Sequence, residues 1–192
     1  SARRPGRAAA TPSSFADVLA AAQAGGEWAL TALYRAHAPA IGRYLRARAG
    51  QEGDDLASQT WLDVARNIHA FSGDEDAFRG WVFTIARRRL IDRGRRRSRR
   101  KEQPVGLEVT EPANAPAHDP AEITARTIDG EAAARRIVEL LPADQAEIVL
   151  LRVVGGLDVA TVAEITGKRP GTVRVAQHRA LKRLADRLGI DP

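Results

Sequence analysis

Residues 102–126 constrain this chain more than any other stretch. Pro104, Pro112, Pro116 and Pro120 recur there among Asn, Ala and five acids. No apolar period of helix or strand runs through the segment. A stretch like this cannot bury a face, so it reads as a flexible acidic linker, stiffened by proline and extended by its charge. It divides the 192 residues into a first part, 14–101, and a second, 127–192. The two parts are built differently. All nine aromatic residues lie between Phe15 and Phe83. A hydrophobic content of 44% is enough for packed cores, so the division predicts two small domains rather than one. Residues 1–13, basic and rich in Ala and Pro, read as a disordered tail.

The periodicity is helical throughout. Ala, Leu and Arg dominate, and all three favour helix. No segment alternates apolar and polar residues convincingly, so the predicted class is all-α. Ser14 with Asp17 suggests a cap for a helix reaching about Ala24. Leu30, Leu33, Tyr34, His37, Ile41, Tyr44 and Leu45 form one stripe over 27–48, which Pro39 should bend or break. A third helix begins at Asp54, with Leu56, Trp61, Val64 and Ile68 inward. A fourth spans about 77–93, with Phe78, Trp81, Val82 and Ile85 inward. Further helices are expected over 129–141, 143–154, 158–166 and 170–188.

The net charge of +6 conceals blocks. Residues 87–101 hold ten basic residues against Asp92 alone, and 168–187 hold seven against Asp186. Basic blocks of this density point to a polyanion, most often nucleic acid, although a solvated run is the simpler reading for 93–101 alone. With no Cys there is no disulfide, thiolate metal site or thiol switch. With no Met, Ser1 reads as a processed or joined terminus. His37, His69, His118 and His178 are scattered, and no phosphate loop or nucleophile elbow appears. Asp74, Glu75 and Asp76 are explained more simply as a loop or helix cap than as metal ligands. No catalytic residues, metal or cofactor are therefore expected. No apolar run approaches the length of a membrane span, so a soluble, cytoplasmic chain is expected.

The strongest local signal is 158–188. A short helix, a turn at Gly167 and a longer basic helix make a helix-turn-helix. Val173, Gln177, Ala180, Leu181 and Leu184 form its predicted buried stripe. Arg169, Thr172, Arg174, Val175, His178, Arg179, Lys182 and Arg183 face outward. The N-terminal residues of such a helix reach base edges, and cations farther along meet phosphates. A plain helical hairpin with a solvated basic face is the alternative. Upstream, Phe71, Phe78, Trp81 and Phe83 precede the Arg cluster, an order that suits stacked bases beside a basic track. Phe78 and Trp81, sharing the inward stripe, read better as core.

Three stretches together resemble bacterial RNA polymerase sigma factors of the extracytoplasmic-function group. Gly53-Asp54-Asp55-Leu56-Ala57-Ser58-Gln59-Thr60-Trp61-Leu62 is similar to the core-binding helix of region 2. Phe78-Arg79-Gly80-Trp81-Val82-Phe83-Thr84-Ile85-Ala86-Arg87, followed by Asp92 and the Arg run, resembles the melting and −10-reading segment. Leu140-Leu141-Pro142-Ala143, Leu150-Leu151-Arg152 and Gly171-Thr172-Val173-Arg174 through Leu184 resemble region 4. The resemblance implies that 14–101 is region 2 and 127–192 is region 4. It implies docking of Asp54, Asp55, Gln59 and Asp63 on the clamp coiled coil of the largest polymerase subunit, and contact of region 4 with the flap. It implies −10 contacts from Phe71, Ser72, Asp74 and Arg79, with Arg87, Arg88, Arg95 and Arg96 on melted-strand or upstream phosphates. For the −35 duplex it implies base contacts from Arg174 and His178, a methyl contact from Val175, and backbone contacts from Arg169, Thr172, Arg179 and Lys182. An anti-sigma factor is a further implied partner. Departures from the family pattern are Arg88 for Asn, Gln59 for Glu, Asp63 for a basic residue, and Ala176 where a basic DNA contact is usual. The alternative function is a stand-alone helix-turn-helix regulator. An enzyme acting on nucleic acid lacks any supporting constellation.

Overall fold

A computed structural model describes residues 14–102 and 125–189. The described residues form eight α-helices: α1 (Phe15–Gln23), α2 (Glu27–Ala49), α3 (Gly53–Asn67), α4 (Glu75–Glu102), α5 (Ala125–Leu140), α6 (Ala143–Val149), α7 (Val159–Thr166) and α8 (Pro170–Leu188). Among these residues there is no strand, as the sequence led us to expect. The tail 1–13 and most of the segment 102–126 lie outside the described residues.

In the first unit α2 is the central pillar, packing on α1, α3 and α4. Leu33, His37, Ile41, Tyr44 and Leu45 are buried along it, following the predicted stripe. The helix continues through Pro39 without interruption. Pro39 is exposed, where water can satisfy the carbonyl it leaves unpaired, while buried residues on both sides hold the helix in line. The turn into α3 depends on Gly53. A Cβ there would lie 2.5 Å from the Arg46 Cα and 2.7 Å from its backbone nitrogen, so only glycine lets the two backbones approach this closely.

Helix α4 begins two residues before the expected start and runs nine beyond the expected end. Asp74 caps it, its Oδ1 accepting from the Ala77 N–H at 2.8 Å. The extension is reasonable physically. Arginine is a strong helix former, and cations near a helix C-terminus offset its dipole. Phe78, Val82, Phe83 and Ala86 are the apolar side chains it buries among the described residues. Phe83 was absent from the predicted stripe.

In the second unit, the expected helix over 143–154 divides into α6 and a π-helical turn, Leu150–Val154. The wider turn keeps Leu150 and Leu151 buried while leaving Val153 at the surface. Helix α7 is capped by Asp158, whose Oδ1 accepts from the Thr161 N–H at 2.7 Å. It ends at Gly167 in the left-handed region (φ 67°), the conformation that turns the chain into α8. Val173 and Ala180 anchor α8. Leu181, expected in the buried stripe, is 45% exposed; Ala180 and Leu184 instead form the side of α8 that packs against Ala146 and Val149 of α6.

The two units share one hydrophobic core. It runs from Leu19 and Tyr44 through Phe83 to Leu151, Leu157 and Val173. Helix α5 packs on α2, and α7 packs on α4.

Candidate nucleic-acid interface

Helix α8 presents the basic face that its sequence forecast. Arg169, Thr172, Arg174, Val175, His178, Arg179, Lys182 and Arg183 are all exposed. Spacing of three and four places Arg174, His178 and Lys182 on one line and Val175 and Arg179 on the next. The helix is held rigidly behind this face. Arg152 donates from Nε to Gln177 Oε1 at 3.0 Å and also reaches the Leu157 carbonyl. Lys168 pairs with Asp144 at 3.3 Å, which takes one cation of the basic block out of play. A helix with a free cationic line and a braced back is a form that enters a major groove.

The first unit carries an aromatic cluster at the start of α4. Phe71 stacks on Trp81 with centroids 5.0 Å apart and meets Phe78 edge-on at 5.4 Å. Phe71 and Trp81 are half-buried, whereas Phe78 is fully buried. The loop beneath is pinned by Gln23, whose Nε2 donates to the carbonyls of Ile68 (3.0 Å) and Phe71 (2.7 Å). Ser72 and Asp74 are exposed beside the cluster. Arg79 is occupied by Glu75 at 3.6 Å and Asp76 at 3.1 Å. Beneath them His37 is buried 5.3 Å from Phe78. Burial first, then the nearby Arg79 charge, lowers the pKa of its imidazole, so it stays neutral.

Along α4 the arginines divide. Arg88, Arg95 and Arg96 are exposed. Arg87 instead donates from Nε to Glu147 Oε1 at 3.1 Å. Arg89 binds Asp63 through Nε at 2.7 Å, and Arg93 binds Glu52 through Nη2 at 2.6 Å. That contact is the first cause of the lowered pKa of Glu52. These two pairs clip α4 to the α3 end of the unit. They leave a groove of about 560 Å³ lined by Asp55, Leu56, Gln59, Arg96 and Arg97 among others. Of the four residues implied for the clamp, Asp54, Asp55 and Gln59 are exposed, and Asp63 is half-buried in its ion pair. Asp54 also accepts from Arg46 Nη1 at 2.8 Å.

The residues named from the sequence therefore fall on three surfaces: the α8 face, the start of α4, and the α3–α4 groove. What sequence reasoning missed is the set of internal ion pairs, namely Arg46, Arg48, Glu52, Arg89, Arg93 and Glu147. A glutamate among Ala146, Ile148 and Val149 was the one local signal, since a carboxylate inside an apolar run needs a partner. Among the described residues no cluster suited to a metal ion occurs, and no helix is long and apolar enough to cross a membrane.

Two helical units, the second a helix-turn-helix with a free cationic face, define a DNA-binding protein of transcription. The model of Sigma-70 region 2 matches residues 33–100, and that of Sigma-70 region 4 matches 131–184. SigD of Mycobacterium tuberculosis, an ECF RNA polymerase sigma factor, is 33% identical over 177 residues, covering 89% of this chain and 82% of SigD. BldN of Streptomyces coelicolor, another, is 31% identical, covering 88% of this chain and 64% of BldN. The chain belongs to the ECF RNA polymerase sigma factors, and as such it directs transcription initiation. Among solved structures, the sigma factor RpoE from Bartonella quintana in complex with the anti-sigma factor NepR shares the fold. Its TM-score is 0.62 at 21% identity, over 84% of this chain and 98% of that one. CnrH in complex with the cytosolic domain of CnrY matches at TM-score 0.61 and 18% identity, over 91% and 97%. Because both units match sigma models, a stand-alone regulator is not favoured.

Proposed function

We propose a division of labour among the three surfaces. Residues 14–101 act as region 2 and residues 127–192 as region 4, joined by the acidic segment 102–126. Asp54, Asp55 and Gln59 dock on the clamp coiled coil of the largest polymerase subunit, with Asp63 holding Arg89 in place beside them. Region 4 meets the flap. Phe71, Ser72, Asp74 and Arg79 form the −10 pocket. Extruding a base costs a few kcal/mol, and an aromatic platform of stacked Phe71 and Trp81 is suited to offsetting it. Arg88, Arg95 and Arg96 line the phosphate track along α4, and Arg87 joins them when free of Glu147. On α8, Arg174 and His178 read bases, Val175 meets a thymine methyl, and Arg169, Thr172, Arg179 and Lys182 hold the backbone. The chain works in the cytoplasm as a specificity subunit without catalysis or cofactor of its own. An anti-sigma factor is its regulatory partner; the structurally similar RpoE was solved in complex with one.

The observation that carries this reading is the exposed line Arg174, His178 and Lys182, without an ion pair among the described residues, on a braced helix. Asp55→Lys and Gln59→Lys test the clamp assignment. Both should weaken binding to core polymerase at least about tenfold, since like charges opposed across an interface cost several kcal/mol. Arg174→Ala should leave core binding unchanged. Core binding that is insensitive to Asp55→Lys and Gln59→Lys would remove α3 from the interface.

A further inference from the structure

Glu147 is an anomaly in the second unit. It is 8% exposed, a carboxylate set among the buried Ala146, Ile148 and Val149 of a short helix. Its partners all belong to the first unit. Arg87 donates from Nε at 3.1 Å and from Nη2 at 3.4 Å. The Tyr44 hydroxyl donates at 3.5 Å, and Arg48 Nη2 lies at 3.8 Å. A carboxylate held by guanidinium groups reproduces the chemistry of a phosphate oxygen in the same place. Burial beside this carboxylate also raises the pKa of Tyr44, so the phenol stays a donor.

The seam around Glu147 is closed as tightly as a core. Arg48 donates to the Ala143 carbonyl at 3.1 Å, and Arg46 pairs with Glu131 at 2.5 Å. A Cβ on Gly80 would fall 2.7 Å from Thr161 Cγ2, so α4 and α7 touch with no room between them. Promoter geometry demands the opposite. Elements centred near −35 and −10 lie about 25 base pairs apart, or about 85 Å at 3.4 Å per pair. A compact body of this chain length is about 40 Å across. Units sharing one core cannot span both elements.

We propose that Glu147 acts as an intramolecular phosphate mimic. It occupies Arg87 and latches the second unit onto the first, so the free chain occludes itself until polymerase or DNA displaces the latch. This inference rests on the reading of Arg87 as a DNA contact. The contact of Glu147 with Arg87, Tyr44 and Arg48 is independent of that reading. Breaking the latch costs a buried charge-assisted contact, so the closed form predominates in the free chain and a competing partner shifts the balance to the open one.

The experiment uses the full chain in three forms. Glu147→Gln removes the charge and keeps the shape. Gly80→Gln wedges the seam without touching any charge, and glutamine is a better helix residue than glycine, so α4 itself is not weakened. Gly80→Cys with Thr161→Cys introduces the chain's first thiols across the closest contact, where a disulfide would lock the seam. Small-angle scattering should show a compact wild type, with a larger radius of gyration for both Gln variants. Circular dichroism should show unchanged helicity. Both variants should bind single-stranded −10 DNA about tenfold more tightly without polymerase, the factor lost when only about one chain in ten is open. The oxidised double-Cys chain should fail to support transcription with core polymerase and recover on reduction. A wild type already extended in solution overturns the latch, as does an oxidised chain as active as the reduced one. Loss of the DNA effect with the change in radius retained would instead overturn the role of Arg87 and leave the latch standing.

Discussion

Lys182→Ala removes one exposed cation from the middle of α8, a side chain with no ion pair among the described residues. Each phosphate contact contributes about 0.9 to the slope of log affinity against log salt. Over the fourfold change from about 50 to 200 mM salt, this is about 3.5-fold in affinity per contact. The variant holoenzyme should therefore lose its advantage mostly at low salt, with a slope shallower by about 0.9 and equal losses on every −35 sequence. Arg174→Ala should behave differently. A bidentate base contact discriminates by about 1–3 kcal/mol, or roughly 5- to 150-fold, and only against the matching base. Binding by holoenzyme at several salt concentrations, on the preferred −35 sequence and on single-base changes of it, separates the two patterns. Taking the difference between variant and wild type cancels the contacts of core polymerase. A sequence-selective loss at Lys182, or a uniform loss at Arg174, would refute the sorting of the α8 face into phosphate and base contacts.

Gly53→Ala should destabilise the chain by about 1–3 kcal/mol despite the better helix propensity of alanine, because its Cβ meets the Arg46 backbone; thermal denaturation checks the sign. Asp158→Ala removes the cap of α7 and should cost about 1 kcal/mol, read as a lower melting temperature with helix α8 less protected from hydrogen exchange. Because the pKa of His37 is lowered from 6.5 in the fold, the unfolded chain takes up a proton first as pH falls. Stability should be whole above pH 6.5 and decline below it, and denaturant titrations of His37→Gln should show a shallower decline.

The fold was largely legible because its helices obey a simple period. The stripe over 27–48 and the span of α8 follow from spacing and local chemistry alone. The α8 face was legible for the same reason, since an exposed basic line is written in one helix. The rest depended on partners distant in sequence. Arg87 and Glu147 are 60 residues apart, and Arg89 and Asp63 are 26 apart. No local pattern distinguishes an arginine reserved for DNA from one held by a carboxylate. The reach of α4 to Glu102 was missed because a run of arginines reads equally as solvated coil. Leu181 was misplaced because a period identifies a face but not how far a neighbouring helix covers it. The linker composition marked the division into two domains, which the two family models follow; that their apolar residues meet in one core has no local sequence signature.

The most direct test of the account is transcription in vitro from a genomic DNA library, using core polymerase with this chain added and mapping the 5′ ends of the transcripts. The account calls for new start sites that share one −10 and one −35 sequence, with starts lost on Asp55→Lys and redistributed among −35 sequences on Arg174→Ala. Starts no different from those of core polymerase alone would contradict it.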